Sequence, residues 1–373
     1  MMSTGDSAPA AVTGLSGAAE IPAADPILTV QGLTVVRRDR PKIRIVDDVT
    51  FHIGRGEAVG LAGESGCGKT TTALAVLGLL PSGLRRASGE LTLHGRRGER
   101  ALHRLGGAAM RQVRWASISM IFQGAMNALD PVKRIDAQIA EAILLHEPRV
   151  GRAGALRRVG DLLDQVGVPR SRAAYYPHEF SGGQRQRIMI ALALACRPEL
   201  IIGDEPTTAL DVITQAQILD LLRDLRRELG LSLLLITHDL AVLGETCDRV
   251  AVMYAGQIVE NGTVAEVYRR PQHPYAARLL GLLGADDAPG TLPEPIPGSQ
   301  PRPGRRPAGC RFHDRCDVAT ERCAAEAPAL LDCGPEHLTR CHFAPWPDGV
   351  IRRADGGAVG GRDWSGERSG EQP

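Results

Sequence analysis

Residues 63–70 read Gly63-Glu64-Ser65-Gly66-Cys67-Gly68-Lys69-Thr70, and this G-x-x-x-x-G-K-[ST] spacing decides the fold. The apolar run Ala58–Leu61 before it reads as a strand, and Thr70–Leu80 after it as a helix halted by Pro81. Glycines here let successive backbone N–H groups turn inward into an anion nest, and the next helix N-terminus adds its dipole. In such a cradle, Gly63 to Thr71, Lys69 reaches the β- and γ-phosphates of a nucleotide and the Thr70 hydroxyl ligates Mg²⁺. Cys67 contributes only its backbone.

Outward from this loop the chain alternates strand and helix. Upstream, Ile27–Val30, Leu33–Val36, Ile43–Val46 and Val49–Ile53 read as short strands between Gly, Arg and Asp. Downstream, about Gly89 to Pro169 carries helical periodicity, in Ile135–Leu145 and Ala155–Val166. Helix Arg185–Ala195 leads to strand Leu200–Gly203, and helix Gln215–Leu229 to strand Ser232–Thr237. Parallel strands alternating with helices are the α/β pattern. The run LIIGDE ends in Asp204 and Glu205. A carboxylate at the strand's end is placed to hold Mg²⁺, and its neighbour to orient or deprotonate an attacking water. Alone, two acids at a strand end are as often a solvated edge; after a phosphate loop they point to nucleotide hydrolysis.

Composition sets limits. Among 373 residues, 44 Lys+Arg face 43 Asp+Glu, a net charge of +1 that gives no basic excess for nucleic acid. No apolar stretch approaches the roughly 20 residues needed to span a bilayer, so a membrane role must run through partners. Residues 1–26 hold no Lys or Arg and read as a disordered leader, not a secretory signal. Ala285 to Pro307 holds seven prolines and reads as an extended linker, and 346–373 reads as a disordered tail. Of eight cysteines, five crowd into Cys310–Cys341.

Further motifs carry a family resemblance. FSGGQRQR (Phe180–Arg187), with Ser181, Gly182, Gly183 and Gln184, resembles the signature of ABC ATPases. Ala209–Asp211 after DEPTT resembles their D-loop, with Asp211 as its acid. Gln123 resembles the Q-loop glutamine and His238 the switch histidine, although by residue type alone one suits a surface loop and the other a strand end. The set follows the family's order across 27–265. The resemblance implies a P-loop NTPase core with an antiparallel β subdomain and a helical subdomain (about 90–185). It implies an ATPase whose catalytic residues are Glu205, His238 and Lys69, with Mg²⁺ held through Thr70, Gln123 and Asp204. It also implies composite sites, in which Ser181 and Gly183 are offered to ATP on a partner's loop. Val35–Val46 holds no aromatic to stack on adenine.

RRPQHPYAARLLGLLG (Arg269–Gly284) resembles the HPY segment of the oligopeptide/dipeptide/nickel importer subfamily, so 266–345 is expected to be its C-terminal extension. Relatives with this tail place four cysteines as Cys310, Cys316, Cys323 and Cys341 stand here, which implies a [4Fe–4S] cluster. By chemistry alone four thiolates suit Fe–S or Zn²⁺, or stay plain thiols; intervals of five, six and seventeen residues lack the C-x-x-C knuckle. Cys333 falls outside the set. The implied partners are permease subunits, a second ABC ATPase (a paralogue or a second copy) and, indirectly, an extracytoplasmic binding protein. The implied place is the cytoplasmic face of the membrane, peripherally. Substrates range over peptides, oligosaccharides and nickel. An exporter ATPase and a non-transport ABC protein are the rival readings.

Overall fold

The computed structural model describes residues 25–124, 128–281, 295–346, 351–352 and 358–359. Residues 1–24 of the expected leader, and Ala125–Asn127 beyond Gln123, lie outside the described residues, and its last residue, Pro26, opens a strand.

Two sheets share the core. Strands β1 (Pro26–Arg37), β2 (Arg44–Gly54), β4 (Leu84–Gly95) and β5 (Gly98–Ala101) form an antiparallel sheet in the order β2-β1-β4-β5. The four short strands read from the sequence upstream of β3 are two long ones. Gly32 and Asp48, with φ of 58° and 56°, sit at register shifts that bulge each strand without ending it. The expected helical stretch from residue 90 also begins as sheet, in β4 and β5. Leu91 and Leu93 are buried there, alternating with the less buried Glu90, Thr92 and His94, an alternation too short to stand out.

The second sheet runs β11-β12-β10-β9-β3-β8-β7-β6. Its members are β3 (Ala58–Ala62), β6 (Ile118–Ile121), β7 (Leu200–Asp204), β8 (Ser232–Ile236), β9 (Arg249–Tyr254), β10 (Gln257–Thr263), β11 (Leu331–Gly334) and β12 (His337–Thr339). From β9 to β6 the pairing is parallel. β3, β7 and β8 are buried along their whole length, as strands covered on both faces must be. Helices α1 (Lys69–Val76), α2 (Gly107–Val113), α3 (Ile135–His146), α4 (Gly151–Gln165), α5 (Gly182–Leu194), α6 (Val212–Leu229), α7 (Leu240–Thr246), α8 (Val264–Arg269) and α9 (Pro274–Gly281) connect or cover these strands. α1 stops short of the expected Leu80 because Gly78 turns left-handed at φ 61° and the Leu79 N–H closes on the Leu74 carbonyl.

The C-terminal region joins the core sheet instead of hanging from it: β12 pairs antiparallel with β10. The tail expected to be disordered from 346 is partly built. Ile351–Arg352 pairs with Ala358–Val359, and Ile351 and Val359 bury against Ala277 of α9. Among the described residues no helix is long and apolar enough to cross a membrane.

Candidate nucleotide site

The parallel order of the sheet gathers the site. The phosphate loop follows β3, Gln123 follows β6, Asp204 ends β7 with Glu205 next, and His238 follows β8. These are the carboxyl ends of four adjacent strands, where open α/β sheets bind ligands.

Glycine is required in the loop. At Gly63, with φ 143°, a Cβ would stand 2.2 Å from the Met253 carbonyl oxygen; Gly68 caps α1 with φ 115°. Lys69 is buried, its ammonium donating to the carbonyls of Gly63 (2.6 Å) and Glu64 (3.2 Å). Cys67 is fully buried and burial pushes its thiol up, so its side chain belongs to the core. Ser65, Gly66, Thr70 and Thr71 continue through the turn into the first turn of α1.

Thr70 Oγ1 donates to Asp204 Oδ1 at 3.1 Å. Burial, and the nearby Glu205 charge, push the Asp204 carboxyl above its usual range, against the Thr70 hydrogen bond that lowers it. A hard-oxygen pair of this kind, Asp204 buried and Thr70 exposed, suits Mg²⁺ beside phosphates. Glu205 collects three donors: Gln123 Nε2 at 2.7 Å, Thr208 Oγ1 at 2.9 Å and His238 Nδ1 at 3.3 Å. Its own N–H bonds the Ile236 carbonyl on β8, and its φ of 47° is an uncommon conformation for a side-chain-bearing residue. Gln123, Glu205 and His238, separated in sequence, thus meet at one carboxylate. Thr208 was not singled out from the sequence; its place three residues after Glu205 is a turn signal only.

The SGGQ motif has a local role too. Ser181 Oγ accepts from the Gln184 N–H (3.3 Å) and Gln184 Oε1 accepts from the Ser181 N–H (3.2 Å), a capping box that starts α5. At Gly183 a Cβ would stand 2.6 Å from Thr214 Cγ2, so glycine lets α5 close on the start of α6. Gly182 lies beside Leu210. Asp211 caps α6, accepting from the N–H (2.9 Å) and hydroxyl (2.7 Å) of Thr214, and these bonds hold its carboxyl below the usual range. Beyond it Val212 and Ile213 are 84% and 73% exposed.

A family profile described as ABC transporter matches residues 46–208, and one described as oligopeptide/dipeptide transporter, C-terminal region, matches 259–323. The oligopeptide transport ATP-binding protein OppD of Escherichia coli K12 is 43% identical over 325 residues, covering 86% of this chain and 94% of that protein. The chain belongs to the ABC transporter ATP-binding family. It is an ABC-type ATPase. Two solved cassettes share the fold. The structure of cbiO1 from Clostridium perfringens, part of a transporter complex, has TM-score 0.56 and 27% identity, over 65% of this chain and 91% of that one. A dimeric post-hydrolysis structure of the cassette MJ0796 bound to ADP and phosphate has TM-score 0.55 and 25% identity, over 64% of this chain and 98% of that one.

In the extension, Cys310, Cys316, Cys323 and Cys341 line one small cavity with Phe312, Phe343 and residues of the HPY segment. Burial pushes the Cys316 thiol up to about 12 and that of Cys341 to about 11. Cys333 lies in β11 and does not line the cavity. Among the described residues no group of three or more His, Cys, Asp and Glu side chains is gathered as a metal site. That arrangement shows no assembled site for Zn²⁺ or for an iron–sulfur cluster. The four thiols that ring the apolar cavity are soft ligands of the type that a cluster or Zn²⁺ takes, and they match in donor type alone.

Proposed function

We propose that this ATPase drives a peptide importer from the cytoplasmic face of the membrane, bound to permease subunits and paired with a second ATPase subunit. The carrying observation is the shared carboxylate of Glu205: Gln123, Thr208 and His238 all donate to it, beside the Thr70–Asp204 pair. With MgATP on Gly63–Thr71, Lys69 would meet the phosphates, and Thr70, Asp204 and the side-chain carbonyl of Gln123 would hold the metal. Glu205 takes the proton of the attacking water, and His238 steadies both Glu205 and the terminal phosphate.

Pairing is supported by the exposed Val212 and Ile213 beside Asp211, and by the Leu210–Gly182 contact that ties this edge to the signature. The peptide assignment is supported by the OppD relationship and the C-terminal profile. The cysteine cavity, on this reading, holds a [4Fe–4S] cluster on Cys310, Cys316, Cys323 and Cys341. Bound there, the cluster would supply four iron–thiolate links that tie the extension together; nothing in the hydrolysis runs through it.

The test is assembly. The subunit alone should hydrolyse ATP slowly, and adding the second ATPase, the permease and peptide-loaded binding protein should stimulate it. Ser181→Arg here should spare nucleotide bound to this chain's own loop and block hydrolysis on the partner's. Full activity from an isolated monomer, verified by light scattering, would defeat the reading.

A further inference from the structure

Glu64 puts a carboxylate inside a loop whose work is to hold phosphate, and an unpaired acid there repels the triphosphate. The structure answers that charge from far along the chain. Arg315, in the cysteine-bearing extension, grips Glu64 bidentately: Nη1 donates to Oε2 at 3.0 Å and Nη2 to Oε1 at 2.9 Å. The Arg315 side chain is 7% exposed, with Nε donating to the Pro297 carbonyl and Nη1 to the Tyr254 hydroxyl. This geometry fixes the guanidinium in orientation as well as charge. The Glu64 backbone is held as well. Its N–H donates to the hydroxyl of fully buried Tyr275 at 2.9 Å, and its carbonyl accepts from Lys69.

We propose that Arg315 is a positioning residue for nucleotide: it neutralises Glu64 and, with Tyr275, holds the second residue of the phosphate loop in place. Both fingers grow from the cysteine cavity. Arg315 precedes Cys316, Tyr275 follows Pro274, and Cys316 and Pro274 line that cavity. Tyr254, Tyr275 and Phe312 pack with ring centroids 4.6–5.3 Å apart between the cavity and the loop. The extension therefore sets the electrostatics of the phosphate cradle, an inference that rests on Gly63–Thr71 being that cradle.

The experiment measures equilibrium binding of MgATP and MgADP to the full chain. Arg315→Met leaves the Glu64 charge bare and should weaken MgATP about tenfold, and MgADP less, because ADP carries less charge. Glu64→Gln/Arg315→Met removes both charges and should return to within about threefold of wild type. Arg315→Lys should fall between, keeping charge but losing the fork. If Arg315→Met does not fold, Glu64→Gln carries the test: the freed guanidinium should tighten MgATP more than MgADP. Wild-type binding by Arg315→Met, equal losses for both nucleotides, a double variant no better than Arg315→Met, or Glu64→Gln without a gain for MgATP would each overturn the inference. Lys69→Ala separates the two layers. If it binds MgATP like wild type, the cradle itself is misplaced; if it weakens binding while the Arg315 and Glu64 variants change nothing, only the role of Arg315 falls.

Discussion

Replacing Glu205 with Gln isolates a proton from a shape. Glu205 holds φ 47° with its N–H on the Ile236 carbonyl, and Gln meets the same backbone demand. The new carbonyl oxygen still accepts from Gln123 or Thr208, so the pocket keeps its form, and folding stability should shift by less than about 1 kcal/mol. The amide cannot take a proton. Loss of a positioned base typically costs about 10²- to 10⁴-fold, or roughly 3–5 kcal/mol in the barrier. Binding should move the other way. The Glu205 charge is one of the effects pushing the Asp204 carboxyl up, so its removal favours ionised Asp204 and a firmer hold on Mg²⁺. Single-turnover hydrolysis in the assembled transporter, set beside filter binding of MgATP, reads both. The expected pair is near-abolished hydrolysis with unchanged or tighter binding, and an ATP-bound dimer that persists. Wild-type turnover would refute Glu205 as the base, and an equal loss of binding and turnover would make it a structural carboxylate.

In the extension, anaerobically purified protein should be brown with about four irons per chain; Cys316→Ser should lose the iron while Cys333→Ser keeps it, by iron assay and absorbance. At the signature, Gly183→Ala puts a methyl 2.6 Å from Thr214 Cγ2 and should destabilise by about 1–3 kcal/mol in denaturant melts, alongside a loss of transporter ATPase activity. Acid should act through His52, which burial, and then the Arg249 charge, pull from 6.5 down to about 4. The unfolded chain then binds the proton first, so His52's contribution is full above pH 6.5 and lost as pH falls toward 4, by at most about 3 kcal/mol. His52→Phe should flatten that part of a stability–pH profile, and an unchanged slope would exclude His52.

The legible parts of this chain were those whose chemistry is contiguous. GESGCGKT, LIIGDE and SGGQ each carry their ligand atoms within a few residues, and a strand or helix on either side orients them. The less legible parts depend on distance or on weak local signals. Gly32 and Asp47-Asp48 look like strand ends because a bulge and a turn use the same residues. In β4 the adjacent Arg85-Arg86 and the small run Ala87-Ser88-Gly89 mask the strand, and β11 and β12 are four and three residues long, too short to show a period. The Arg315–Glu64 pair joins residues 251 apart, which no pattern in a window can show. Ser181-Gly182-Gly183-Gln184 carries two patterns at once, the S-x-x-Q of a capping box and the family signature.

The HPY segment shows why motor and extension act as one body. Glu260 of β10 is fully buried, and its carboxylate accepts from the N–H groups of Gln272 (2.7 Å) and His273 (2.8 Å) and from His337 Nε2 of β12 (2.7 Å). Burial pushes that carboxyl up and the donors pull it back, so removing any one of them leaves a dry acid short of a partner. His273, driven by burial to about 3, stays neutral, and its Nδ1 accepts the Tyr275 N–H at 3.1 Å, which sets the course of the next two residues. Pro274 then faces the cysteine cavity and the Tyr275 hydroxyl takes the Glu64 N–H. Three consecutive residues thereby reach the core sheet through the His273 N–H, the cysteine cavity through Pro274 and the phosphate loop through the Tyr275 hydroxyl. The segment is held on one side by buried Glu260 and on the other by the packed rings of Tyr254, Tyr275 and Phe312. The C-terminal region thus touches the phosphate loop at Glu64 twice, through Tyr275 and through Arg315.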